Sequence, residues 1–121
     1  MPKKRFVPHV LPDCPERLFP DAMTAWFWFI RCQKARWDGA QFERDMASEV
    51  RPCEPDDIYR CARRLVTTGK MQPHHLEVLL RFGVLDRPPD PNFAAEFRAY
   101  RMWDEALDSM TGILRAKGIV E

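Results

Sequence analysis

Eleven prolines decide where regular structure can form in this chain of 121 residues. Pro2, Pro8, Pro12, Pro15 and Pro20 crowd the N-terminal end, Pro52 and Pro55 bracket Cys53, and Pro88, Pro89 and Pro91 form a second break. A proline lacks the N–H a helix or sheet interior needs and pushes the residue before it out of the helical region. The first twenty residues therefore read as an extended arm, with Lys3, Lys4 and Arg5 at its front. Phe6, Val7, Val10, Leu11, Leu18 and Phe19 are too apolar for a free linker, so parts of the arm should lie across the domain that follows. The three leading bases fit either a solvated terminus or a contact to nucleic-acid phosphate.

The windows between prolines carry helical signals and no strand alternation. Asp21 is an N-cap for a helix running to about Trp37, with Asp38-Gly39 as its stop. Met23, Trp26, Phe27, Ile30 and Trp37 follow helical spacing, but Trp28 and Phe29 fall on the opposite side. A helix apolar on two faces must be covered twice, by the core and by the arm or a partner. A weaker helix is expected from Gln41 to about Met46. Pro55 suits the first turn of the next helix, where Asp56 and Asp57 complement the dipole. Ile58, Cys61, Ala62, Leu65 and Val66 form its buried stripe, and Tyr59, Arg60, Arg63 and Arg64 face away.

Gly69 ends that helix and Gln72-Pro73 starts another, which should bury Leu76, Leu79, Leu80 and Gly83 while exposing His74, Glu77 and Arg81. Two helices joined by a short glycine-containing turn, at about residues 55–85, form a helix-turn-helix candidate, and an ordinary αα-hairpin has the same spacing. Beyond the second proline break, Asn92 is placed to cap a long helix to about Lys117. Phe93, Tyr100, Leu107 and Leu114 recur every seven residues, interleaved with Trp103 and Met110. Such a seam packs either on a neighbouring helix of the same fold or across a dimer, so self-association through this helix stays open. The expected fold is all-α: an arm over residues 1–20 and a helical domain over 21–121.

Composition narrows the function. The chain is 45% apolar and 31% charged, with a net charge of +1, which suits a soluble globular domain and excludes nucleic-acid binding by bulk charge. The longest apolar run, Trp26 to Ile30, is too short for a membrane span or a signal peptide. A cytoplasmic protein with reduced thiols is therefore expected. No two of Cys14, Cys32, Cys53 and Cys61 have zinc-ligand spacing, so no metal or cofactor is expected, and Cys32 and Cys61 should be small buried residues. The chain has no phosphate-binding glycine loop, no HExxH and no nucleophile elbow, and its three histidines have no evident acid or thiol partner. We expect no enzyme.

Basic residues concentrate instead between Arg60 and Arg87. Arg60, Arg63, Arg64, Lys70, Arg81 and Arg87 stand there against only Glu77 and Asp86. With His74, these are the candidate contacts to phosphate or to an acidic protein surface; a solvated helix face is the plain alternative. After Val84-Leu85 the chain enters prolines, where a standard DNA reader would place a base-contacting helix. Trp28, Phe29 and Trp37 are candidate anchors for a protein partner, and Trp103 fits the core equally well.

Arg51-Pro52-Cys53, Asp56-Asp57-Ile58, Cys61, Arg64-Leu65, Leu76, Leu79-Leu80 and Phe82-Gly83-Val84 form a string that resembles the core of the Q antitermination proteins of lambdoid phages, particularly the compact type of phage 21. The block from Arg51 to Pro91, with the Ala-Lys-Gly-Ile end from Ala116 to Ile119, is similar to GafZ-type proteins that accompany activators of alphaproteobacterial gene transfer agents. The resemblance spans roughly residues 22 to 119. It implies a helix-turn-helix core like region 4 of a sigma factor. It also implies a non-catalytic factor that binds elongating RNA polymerase near the RNA exit channel, joined by the Nus factors NusA, NusG and NusE. DNA at a loading site and nascent RNA are further implied partners, with Arg60, Arg63, Arg64, Lys70 and Arg81 as the contacts. The proline connector Arg87–Pro91 departs from the phage pattern, which weakens DNA-site recognition more than polymerase binding. The alternatives are a helix-turn-helix DNA-binding transcriptional regulator or activator, and a protein adaptor or inhibitor without nucleic-acid contact.

Overall fold

The computed structural model describes residues 17–38 and 51–121. Lys3, Lys4 and Arg5, Cys14 and the helix expected from Gln41 to Met46 lie outside the described residues. Among the described residues there are four α-helices and no strand: α1 (Ala22–Asp38), α2 (Pro55–Thr67), α3 (Pro73–Leu85) and α4 (Phe97–Ala116), the last preceded by a 3-10 turn at Ala94–Glu96. No described helix is long and apolar enough to cross a membrane.

The run Trp26 to Ile30 organises the packing. Asp21 starts α1 as expected, its carboxylate accepting the Thr24 N–H at 2.8 Å. Successive side chains in the run then point around the helix at about 100° intervals, and each meets a different element. Trp26 turns to α3, where its indole Nε1 donates to the Leu79 carbonyl at 2.7 Å. Phe27 lies 5.6 Å from Trp103 of α4. Trp28 meets Phe19 at 5.1 Å, and Phe29 stacks on Tyr59 of α2 at 5.6 Å. Double coverage of α1 thus comes from within the chain: Trp28 and Phe29 are 8% and 3% exposed. Trp37 departs from the stripe and is 73% exposed, although Arg36 beside it still reaches Asp56 of α2 at 3.0 Å.

The start of the domain is tied to its end. Phe19 donates its N–H to the Ile119 carbonyl and accepts the N–H of Glu121, both at 3.0 Å, in one isolated parallel bridge. Its ring is fully buried and carries the Arg51 guanidinium at 4.3 Å, so this part of the arm does lie on the domain.

Helix α2 opens with Pro55 in its first turn, and the Asp57 carboxylate accepts the Glu54 N–H at 3.0 Å. It closes on Gly69, whose φ of 81° lets the Gly69 and Lys70 N–H groups return to Val66 and Leu65. Helix α3 buries Val78, Leu79, Phe82 and Gly83. Leu76 and Leu80, expected inside, are only half-buried, since the close approach of α1 at Gly83 and of Trp103 at Phe82 rotates the inner face toward those residues.

The connector and α4 bring two corrections. Asn92 does not cap the last helix. Its N–H is taken by the Asp90 carboxylate at 2.9 Å, and the α-helix begins five residues later at Phe97. The buried stripe of α4 is Trp103, Ala106, Met110 and Leu114, so Trp103, Met110 and Leu114 of the expected seam do face the core, whereas Tyr100 and Leu107 are only half-buried. Phe93 lies before the helix and is 55% exposed. The α4 seam is therefore filled from within the same fold.

Helices α1 and α3 cross closely at Gly83. A Cβ at Gly83 would stand 2.7 Å from Cγ1 of Ile30 and 3.0 Å from Nε1 of Trp26, both in buried side chains. Gly83→Ala should therefore cost about 1–3 kcal/mol in urea unfolding followed by circular dichroism. Gly112 on the exposed face of α4 has nothing within 4 Å of such a Cβ, so Gly112→Ala should gain about 0.5–1 kcal/mol. Equal signs for the two would refute the close crossing.

Candidate functional site

The stripe Ile58, Cys61, Ala62 and Leu65 holds α2 on the core and turns residues 60, 63, 64 and 67 outward on one face. Arg60 is committed in part, its Nη1 lying 2.6 Å from the Asp57 carboxylate one turn back. Arg63 and Arg64 are exposed and make no ion pair among the described residues. The same face meets the end of α4, where Lys117 follows the last helical residue and is likewise without an ion pair among the described residues. Between them runs an open groove of about 960 Å³. Arg60, Arg63, Arg64 and Lys117 stand along it, half-buried Pro52, Cys53 and Tyr59 add neutral surface, and Cys61 and Ile119 lie almost fully buried beneath.

The thiols in this groove stay protonated. Burial pushes Cys53 up to about 12, helped by the negative charge of Asp57, and burial raises Cys61. Cys32, fully enclosed in the core, is held at about 11 for the same reason. A neutral thiol is a poor nucleophile and metal ligand, so the floor is chemically quiet. Among the described residues no group of three His, Cys, Asp or Glu side chains is placed to hold a metal ion. What the groove can do is bind an anion, with two guanidinium forks and an ammonium and little opposing charge.

The other expected contacts are not gathered there. Lys70 is exposed in the turn after α2 and His74 is exposed on α3, neither lining the groove. Arg81 lies over the Phe82 ring at 5.1 Å. Arg87 is a correction: it is a strut, donating to both carboxylate oxygens of Glu96 at 2.9 and 2.7 Å and lying over Phe82 at 5.4 Å. Its charge is spent on folding the connector back onto the start of α4, whose Glu96 also accepts the Asp90 N–H at 2.9 Å.

Trp28 and Phe29 are corrected as partner anchors, since both sit in the core. Trp37 remains accessible. Lys34, one turn before it, donates to the Val84 carbonyl at 2.6 Å, which brings the end of α1 beside the exposed Val84 and Leu85. His75 has a partner that only the fold supplies: its Nδ1 accepts the Gln72 N–H, so in the neutral ring Nε2 donates to Glu105 of α4 at 3.0 Å. Both nitrogens are thereby used to hold α3 on α4.

Lys117 and Tyr59 were missed as site residues. Tyr59, expected to face away from the core, is instead half-buried against Phe29, and Lys117 is some fifty positions away and joins the groove only through packing of α4. Neither a family model, nor a curated protein, nor a solved structure matches the chain.

The Arg87–Glu96 pair makes a pH-dependent prediction. The hydrogen bonds from Arg87, then that from the Asp90 backbone, hold the Glu96 carboxyl at about 2 instead of the ordinary 4.5. A depressed pKa contributes stability that is complete above the unfolded value and is lost as pH falls through the folded one. Glu96→Gln should lower the Tm at neutral pH, with the gap to wild type widest above about pH 4.5 and closing toward about pH 2. A gap that stays constant across that range would exclude the pair as a stabilising link.

Proposed function

We propose that this chain is a non-catalytic transcription antitermination factor of the phage Q-like type. It binds elongating RNA polymerase near the RNA exit channel and, with Nus factors, permits read-through of terminators in a phage-like gene cluster of the gene-transfer-agent kind. The observation that carries the reading is the groove in which Arg63, Arg64 and Lys117 stand with no ion pair among the described residues, on a protein of net charge +1. Free cations are expensive to cluster on a nearly neutral surface unless an anionic partner repays the repulsion. The motif string of the Q-like proteins falls on the elements that build this groove, from Arg51-Pro52-Cys53 through Arg64-Leu65.

The rest of the surface fits a factor that clamps onto a larger machine. Its body is held by a continuous aromatic core with no buried charged or polar residue among those described. Trp37 provides an accessible aromatic anchor of the kind that dominates protein interfaces. The helix that would read bases in a DNA-binding regulator, α3, exposes His74, Glu77 and Arg81 and then Val84 and Leu85. The chain after Leu85 then runs into Pro88, Pro89 and Pro91 instead of a further base-contacting helix, which favours polymerase over an autonomous duplex site.

The test is in-vitro transcription through an intrinsic terminator with purified polymerase and Nus factors. Wild-type protein should raise read-through in a manner that depends on the DNA upstream. The double variant Arg63→Glu/Arg64→Glu should return read-through to the level without factor while its helical circular-dichroism spectrum is unchanged, because both side chains are exposed. Altered promoter initiation with unchanged termination would instead establish a DNA-binding regulator.

A further inference from the structure

We infer that the end of the molecule formed by the last turns of α1 and α3 and the start of α4 is an interface for a second copy of this chain, joined patch to patch about a two-fold axis.

Among the described residues five large apolar side chains are half or more exposed: Trp37, Val84, Leu85, Phe93 and Phe97. All five belong to this end, and three contacts hold their segments together there. Lys34, one turn before Trp37, donates to the Val84 carbonyl at 2.6 Å. Arg31 of α1 reaches Asp86, the residue after Leu85, at 3.4 Å. Arg87 holds Glu96, the neighbour of Phe97, at 2.7 Å. Ala94 and Ala95, exposed between the two phenylalanines, add no bulk to keep another surface away.

The size of the patch fits a dimer. Fully uncovered aromatic side chains present about 150–250 Å² each, so with Val84 and Leu85 the exposed fractions leave roughly 500–600 Å² of apolar surface. That is the upper end of the range of about 300–600 Å² for the largest patch on a monomer. A stable interface takes about 800 Å² from each partner, about two-thirds of it apolar where the partners are identical. This patch and a polar rim have that size and that composition.

Charge and symmetry then select the occupant. The ionic groups around the patch are paired within the chain, Arg31 with Asp86, Arg36 with Asp56 and Arg87 with Glu96. Nucleic acid or an acidic protein is drawn instead to the groove on α2, whose Lys117 lies about 30 Å along α4 from Phe97. The patch matches an uncharged apolar surface of its own size, and every copy of the chain carries one. A head-to-tail assembly would need a second apolar patch to receive the first, and the described residues supply none. An isologous pair needs only the one patch and closes at two copies. This interface is separate from the seam of α4, which Trp103, Met110 and Leu114 fill inside the fold.

Analytical ultracentrifugation of the full chain tests the pair. The mass should move from 14.3 kDa toward twice that value as concentration rises. Added sodium chloride should not weaken the dimer, because apolar burial is not screened. Trp37→Ser and Phe93→Ser, both at exposed side chains, should each weaken it about tenfold or more. Asp108→Asn, exposed about three turns along α4 from Phe97, should leave it unchanged. The unmodified protein gives an independent reading. Trp26, Trp28 and Trp103 are buried, so acrylamide reaches Trp37 first, and its quenching should fall as the protein is concentrated.

A benzophenone photocrosslinker in place of Phe93 should capture a second copy through this same end. Capture through the α2 groove overturns the inference, as does a dimer that dissociates with salt or survives both substitutions. A monomer at every concentration also overturns it. Free quenching of Trp37 in that monomer leaves the patch to another partner, and constant shielding assigns its cover to residues 1–16 or 39–50 of the same chain. Dimerisation and read-through are measured separately, so the failure of either leaves the other standing.

Discussion

The contact between Trp26 and α3 sets the geometry of everything else. Its indole N–H is bonded to the Leu79 carbonyl in a dry interior, and Gly83, one turn on, removes the side chain that would hold the two helices apart. An indole buried without a partner for its N–H would cost on the order of 1–3 kcal/mol, so this bond fixes both the rotation of α1 and its height on α3. Once Trp26 is seated, the next three aromatic residues have no freedom left. Phe27 must meet α4, Trp28 must meet the arm and Phe29 must meet α2, because the helix distributes them around its axis. Five consecutive apolar residues thus become the hub of the fold.

The groove is a by-product of that hub. Phe29 draws Tyr59 inward and so sets the rotation of α2, which leaves its arginines facing out. Phe19 draws the tail after α4 into a backbone bridge, which leaves Lys117 beside those arginines. Two independent aromatic contacts on α1 therefore place cations from distant parts of the chain along one surface. The connector is held by different physics: a bidentate Arg87–Glu96 pair, an Asp90 carboxylate closing on Asn92, and a fully buried Pro89. That end of the protein carries the exposed Val84, Leu85, Phe93, Phe97 and Trp37, while the cationic groove lies along α2.

Much of this was legible before any coordinates. The proline breaks, the Asp21 and Pro55 helix starts and the Gly69 stop act through the backbone within a few residues, and such signals survive any tertiary context. The outward face of α2 was legible too, because its apolar stripe has an uninterrupted helical period. The misjudged residues share one cause. Asn92 lies in a turn that ends before the helix, its N–H bonded to the Asp90 carboxylate, and Phe93 lost its place in the seam because the helix begins only at Phe97. Arg87 looked like an unpaired base because Glu96, its partner nine residues on, lay across a connector of unknown path. Trp28 and Phe29 looked available because nothing local revealed what would cover them.

The sequence by itself determined the all-helical character of the described residues, most of their helix borders, and a nearly neutral charge with a basic stretch from Arg60 to Arg87. These are short-range or additive properties, set by dihedral preference, periodicity and composition. Tertiary structure alone decided which bases stay free, which are tied up as struts, and that Lys117 and Tyr59 join Arg63 and Arg64 along one groove. Those outcomes depend on which faces of distant helices meet, and a one-dimensional pattern holds no distance between residue 63 and residue 117. Packing around Trp26 supplies that distance, and with it the surface on which the function is proposed to rest.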